Sequence, residues 1–256
     1  MTPPPRIISK TIYYNDPPEM LEQLIKSMRG IVDTAVFLDG AYKHFPHRGN
    51  PCSNREQRDA IIETCQQWNL PCLMVPGSQY ENQCHKRTHA FKIVEQIGIP
   101  YVDYCLVIDA DEHIVKPPTI QQLRRAMRNN GAGFDVGLVA ITTTPPTGKV
   151  NRNLKGIHNP DRSTGGLVHH DFPRLFRIHR NTTVGPTHHW VYIAETQHGK
   201  TIALKGSRRI RTDCLPTIAD LTHILKLENK TWHRGPERLA AKHAYGLKRE
   251  ALGEDL

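Results

Sequence analysis

The chain has 256 residues, of which 38% are hydrophobic and 23% charged. That composition suits a folded domain, or one with a small appendage, and excludes a disordered chain. No apolar stretch approaches the roughly 20 residues of a membrane span, and the opening MTPPPRIISK lacks the apolar core of a secretory leader, so a cytoplasmic protein without membrane attachment is expected.

The first half alternates strand and helix signals. Residues 7–14 are rich in β-formers. Asp16-Pro17-Pro18-Glu19 then offers an N-cap, a proline at the first helical position and an acid three residues past the cap. Leu21, Leu24, Ile25 and Met28 follow at helical spacing, and Gly30 closes that helix. A short apolar strand over 34–38 stops at Asp39-Gly40. Ser53-x-x-Glu56 reads as a capping box opening a helix with Ile61, Cys65 and Trp68 on one stripe. Residues 73–75 form a third strand. A helix over about 82–97, with Ala90, Phe91, Val94 and Ile97 inward, leads through Gly98 into a fourth strand at 104–108. Residues 119–129 predict another helix and 136–142 a fifth strand.

Beyond residue 142 the periodicity fails, and a breaker-rich stretch to residue 166 reads as a long loop or flap. Shorter strands at 175–178, 190–194 and 201–204 follow, then two helical segments at 218–228 and 236–252. Apolar strands separated by amphipathic helices predict an α/β fold with a mostly parallel, Rossmann-like central sheet, helices on both faces and C-terminal helices. Ligands of such sheets bind beyond the carboxyl ends of the strands.

Charge is unevenly placed. The net +9 resides between Lys149 and Arg211, where twelve Lys/Arg face three acids, and seven of the fifteen histidines lie between His158 and His198. A basic, histidine-rich stretch on a neutral body points to an anionic ligand, with a solvated basic face as the alternative. The six cysteines contain no C-x-x-C pair, and their spacing supplies neither a zinc site nor a disulfide framework.

Residues 105–114, CLVIDADEHI, break from an apolar run into three carboxylates within four positions. Like charges so close destabilise one another unless something positive joins them. In an extended segment Asp109 and Asp111 point to one side and Ala110 to the other. Two oxygen donors beyond a strand end suit Mg²⁺ or Mn²⁺, which takes its other ligands from phosphates and water. A cation there can stabilise charge on a phosphate leaving group. An EF-hand is excluded because no Gly and Glu stand at the sixth and twelfth loop positions.

The order strand–helix–strand–Asp39-Gly40, then His85-Lys86-Arg87 on a helix, then a hydrophobic strand and DADE resembles the GT-A glycosyltransferases. The likeness is to the family 2-like enzymes of bacteria and phages. It spans residues 7–114 and continues more loosely through PRLFR (173–177), THHW (187–190) and LTHILKLENK. It implies a metal-dependent, inverting transferase of the hexosyl type, moving a sugar from a UDP- or GDP-sugar to an acceptor protein, such as a phage virion protein, or to a glycan. In a phage-encoded relative the compartment would be the host cytoplasm. A catalytic domain would occupy 1–215, divided into a nucleotide-sugar half (1–115) and an acceptor and flap half (116–215), with a helical segment at 216–256 packed on it. By resemblance, Tyr14, Asp39, Lys86, Arg87, Asp109, Ala110 and Asp111 would line the donor. Asp39 would accept from the nucleobase, and Lys86 and Arg87 would face phosphate or ribose. Asp111, Asp109 and His223 would hold the metal, with His233 as the substitute for His223. Asp171 would be the catalytic base, with His170, His188 and His189 as rivals, since His-His-Asp stands where many relatives have Glu-Asp.

The competing reading is a metal-dependent nuclease or nucleic-acid-binding protein built on 149–211, because HHDFPRLFRIHRN…HHW resembles a His-metal nuclease. It predicts salt-dependent DNA binding and leaves the strand–helix half and DADE without a role, so nucleic acid is not the expected partner.

Overall fold

The apolar runs of the first half become four strands joined by three helices in the computed structural model, which describes residues 4–43, 50–128, 133–143, 167–185, 192–205, 212–230 and 240. In order these are β1 (Ile7–Ile12), α1 (Pro18–Met28), β2 (Thr34–Leu38), α2 (Arg55–Gln67), β3 (Cys72–Val75), α3 (Gln83–Ile97) and β4 (Tyr104–Val107). Then come β5 (Glu112–Lys116), α4 (Ile120–Arg128), β6 (Val136–Thr143), β7 (Leu167–Arg177) and β8 (Arg180–Val184). The last described elements are β9 (Tyr192–Glu195), β10 (Thr201–Lys205), β11 (Ile218–Asp220) and β12 (Lys226–Asn229).

The main sheet runs β3-β2-β1-β4-β7-β6-β12-β5, with β11 also paired to β6. Its first four strands are parallel to one another. β7 is antiparallel to both β4 and β6, whereas β12 runs parallel to β6 and antiparallel to β5. The fold is therefore α/β with a mixed sheet, and the all-parallel arrangement of the β3–β4 half does not extend across it. The reason is connectivity: parallel neighbours need a crossover, usually a helix, and no described helix lies between β6 and β7, which pair antiparallel.

Successive residues of each parallel strand enter opposite cores, as the pleat requires. Ile7, Phe37 and Leu106 face a core closed by α1, α2 and α4. Ile8, Val36, Cys105 and Val107 face a second core, closed by α3 and a small antiparallel sheet ordered β10-β9-β8. Helices thus cover both faces. Among the described residues no helix is long and apolar enough to cross a membrane.

Both expected caps serve other partners. α1 starts at Pro18 with no side-chain cap, because the Asp16 carboxylate accepts the Tyr14 N–H at 3.1 Å. α2 starts at Arg55 after an uncapped Asn54, because Ser53 is engaged elsewhere. α3 carries a side-chain cap that the sequence reading did not name, Asn82 accepting the His85 N–H at 2.9 Å. Residues 218–228 are not a helix but β11, a turn and β12. The expected flap at 142–166 (beyond residue 143) and the helix at 236–252 (apart from residue 240) lie outside the described residues.

Candidate functional site

Because β1, β2, β3 and β4 are parallel, their carboxyl ends share one edge, and two constructions occupy it. The first stands at the ends of β1 and β2. Asp39 accepts Gly40 N–H at 2.7 Å and the Ser53 hydroxyl at 2.5 Å through Oδ1, and Ser53 N–H at 2.8 Å through Oδ2. It ties the end of β2 to the start of α2 and is 7% exposed. Gly40 has φ +124°, and a Cβ there would run into the Ser78 carbonyl oxygen; only glycine suits such a position. The Tyr14 hydroxyl donates to Asn50 O at 2.7 Å, and its ring packs on Ala41 and Tyr42. Lys86, 1% exposed, donates from Nζ to Tyr13 O and Gly40 O, both at 2.6 Å. It clasps the ends of β1 and β2.

The second construction is a tight turn. Asp109–Glu112 does not continue β4 as an extended segment: Glu112 N–H donates to Asp109 O at 2.9 Å, and Asp109 N–H donates to Glu112 Oε2 at 3.0 Å. The alternation expected of Asp109 and Asp111 therefore does not apply. Ala110 turns into the α1 core. The positive partners that the crowded carboxylates demand are two arginines from different elements. Arg87 of α3 lies 3.1 Å from Asp109 Oδ1. Arg174 of β7 lies 3.4 Å from Asp109 Oδ2 and also pairs with Glu112 Oε1. Both arginines are 2% exposed.

Electrostatics follow from that burial. Burial works against the Arg87 charge, but Asp109, Tyr192, Tyr42 and Glu112 together outweigh it and the guanidinium pKa is raised. For Arg174, burial is likewise outweighed, chiefly by Glu112 and then Asp109. Burial pushes the Glu112 carboxyl up to about 7; Arg174 pulls it down, while Asp109 and Asp111 push it further up. Below the turn, Lys10 of β1 is buried with its ammonium 4.1 Å from the Phe91 ring centroid. Burial and then Arg87 pull its pKa down to about 7. The Tyr192 hydroxyl feels both arginines, yet burial raises its pKa.

The structure thus gathers Tyr14, Asp39, Lys86, Arg87, Asp109 and Asp111 along one edge. Lys86, expected to face phosphate, is directed at backbone carbonyls, and Arg87 at Asp109. His170 and Asp171 lie on β7, whose 167–172 stretch pairs with the carboxyl-terminal half of β6. That stretch runs past the end of β4, whose Leu106 pairs with Leu175. His223 is not brought to Asp111. It is exposed in the turn before β12, and the whole of β12 separates it from Asn229, which pairs with Glu112. What reaches the turn instead is the Lys230 N–H, donating to Asp111 O at 2.6 Å. His188, His189 and His233 lie outside the described residues.

Among the described residues no group of three or more His, Cys, Asp and Glu could hold a metal ion. With Asp109 and Glu112 turned to arginines, the donor set does not make a closed protein cage of the structural-zinc kind. It does fit a hard cation held by Asp111 and completed by phosphate oxygens and water.

Sequence reasoning passed over Lys10 and Arg174. Their signal was a cation set among apolar strand residues, Lys10 in IISKTI and Arg174 in PRLFR, since such residues are seldom fully buried unless paired. No protein-family model matches the chain, and no curated protein matches it.

Proposed function

We propose that the protein is a metal-dependent glycosyltransferase of the GT-A, family 2-like kind, using a nucleotide-diphosphate sugar as donor. The observation that carries the reading is the Asp109–Glu112 turn at the carboxyl end of β4, beside the ends of β1 and β2 and backed by two buried arginines. Donor nucleotide would lie over Tyr14 and Asp39, and its ribose or sugar over Asp109. A divalent cation, Mn²⁺ or Mg²⁺, would be held by Asp111 and would supply Lewis-acid charge at the diphosphate. Asp171, on the stretch of β7 beyond β4, would take the proton of the attacking acceptor group. The bond to the diphosphate would break with its electron pair leaving on the nucleotide, inverting the anomeric carbon. The acceptor would be a protein, with a virion protein in view from the resemblance, or a glycan.

The test is incubation with Mn²⁺ and a panel of UDP-, GDP- and dTDP-sugars, reading thermal shift and donor hydrolysis. Stabilisation by one donor, lost in Asp111→Ala, is the expected result. No response to any donor, together with salt-sensitive DNA cleavage, would overturn the reading in favour of a nuclease. Near-normal turnover by Asp171→Asn would remove Asp171 as the base.

A further inference from the structure

Arg174 sits inside PRLFR on β7, the strand that pairs antiparallel with β4. Stability alone does not call for an arginine there. The residue is 2% exposed, its Nε has no hydrogen-bond partner among the described residues, and its guanidinium carbon lies 4.9 Å from the Phe172 ring centroid. A buried ion pair is often replaced by well-packed apolar side chains at no loss of stability. What an apolar side chain could not do is reach two carboxylates of one turn.

We propose that Arg174 is a positioning residue for the donor, acting through Asp109 and Glu112; the inference rests on the glycosyl-transfer reading above. Asp109 is held from two sides, Oδ1 by Arg87 on α3 at 3.1 Å and Oδ2 by Arg174 on β7 at 3.4 Å. Arg174 also holds Glu112, whose other oxygen accepts the Asp109 N–H at 3.0 Å. The guanidinium thereby fixes both the side chain and the backbone of Asp109. Two elements far apart in sequence set the plane of one carboxylate, while Asp111, toward the cation, is not among the groups Arg174 binds. The division of labour is that Arg174 governs where the sugar or ribose is held and Asp111 governs the diphosphate.

The experiment compares Arg174→Met, Arg174→Lys and the double variant Arg174→Met/Glu112→Leu with wild type, in Mn²⁺ with the donor that stabilises it. Arg174→Met lowers kcat/KM for the donor roughly 100-fold, the size of effect expected when a reacting group is misplaced by about 1 Å. It leaves affinity for the free nucleoside diphosphate within about threefold. Arg174→Lys, able to serve one carboxylate but not fork between two, falls in between. The double variant regains the Tm lost by Arg174→Met but not the turnover, because the unpaired buried charge is gone while Asp109 is still held from one side only. Recovery of turnover along with Tm would show a merely structural role and overturn the proposal, as would wild-type kcat/KM in folded Arg174→Met. A wild-type protein that binds no nucleoside diphosphate and hydrolyses no donor would instead overturn the glycosyl-transfer reading, and this inference with it.

Discussion

Lys86 and Arg87 are consecutive on α3, both buried, and they serve two regions built on opposite physics. Lys86 spends its charge on the Tyr13 and Gly40 carbonyls, closing the ends of β1 and β2 with neutral partners. Arg87 meets a full negative charge on Asp109, inside a turn where three carboxylates crowd together. The strand-end region sets charged side chains against neutral groups: Asp39 accepts two main-chain N–H groups and a hydroxyl, and Lys86 donates to two carbonyls. The carboxylate turn is an ionic construction, and its shape depends on cations arriving from α3 and β7. Loss of Lys86 leaves neutral carbonyls without a donor, whereas loss of Arg87 leaves a carboxylate short of a cation.

Breaking the ionic side should therefore cost most. Arg87→Met strands Asp109 with Arg174 alone and is expected to destabilise by about 3–5 kcal/mol, read from the urea midpoint at unchanged m-value. Lys86→Met leaves two carbonyls without that donor and should cost less, about 2 kcal/mol, by the same measurement.

Lys10 sharpens the contrast because it is a cation buried between the two regions with no full complement of charge. Its pKa is pulled from 10.5 to about 7 by burial first and Arg87 second. Below about pH 7 the amine is protonated folded and unfolded alike, and its burial is a standing cost. Between about 7 and 10.5 the unfolded chain holds the extra proton, so this residue's contribution rises with pH, at up to about 1.4 kcal/mol per unit. Denaturation of wild type and Lys10→Met from pH 6 to 10 should show the variant more stable at the acid end and the gap closing upward. A constant gap would remove Lys10 from the linkage. The smallest effect belongs to Asp39→Asn. The amide keeps one acceptor for Gly40 and the Ser53 hydroxyl but cannot accept the Ser53 N–H, a loss of about 1 kcal/mol.

The parallel half of the fold was legible because its strands are covered on both faces, so they read as short apolar runs between amphipathic helices. The segment at 218–228 was not. Leu221 and Leu225 stand at helical spacing, while β11 and β12, of three and four residues, are too short for alternation to show. At the site, the position of DADE at a strand end was readable, but its turn was not. Reciprocal bonds between Asp109 and Glu112 replaced the extended geometry assumed for Asp109 and Asp111. Ser53-x-x-Glu56 and Asp16 looked like caps because capping and side-chain bonding to a neighbouring loop use the same residues. Arg174 escaped because its partners lie across a sheet, a distance that no local pattern encodes.

β12 fills the place between β6 and β5, and the N–H of the residue after it binds the Asp111 carbonyl. On the ribosome, β4 and the carboxylate turn emerge long before their last neighbour, and β5 must wait as an unclaimed edge. Contacts of such span form late and slowly. A nascent chain stopped ahead of residue 226 would expose the β5 edge that β12 covers to any passing strand, so the interval before β12 arrives carries an aggregation hazard.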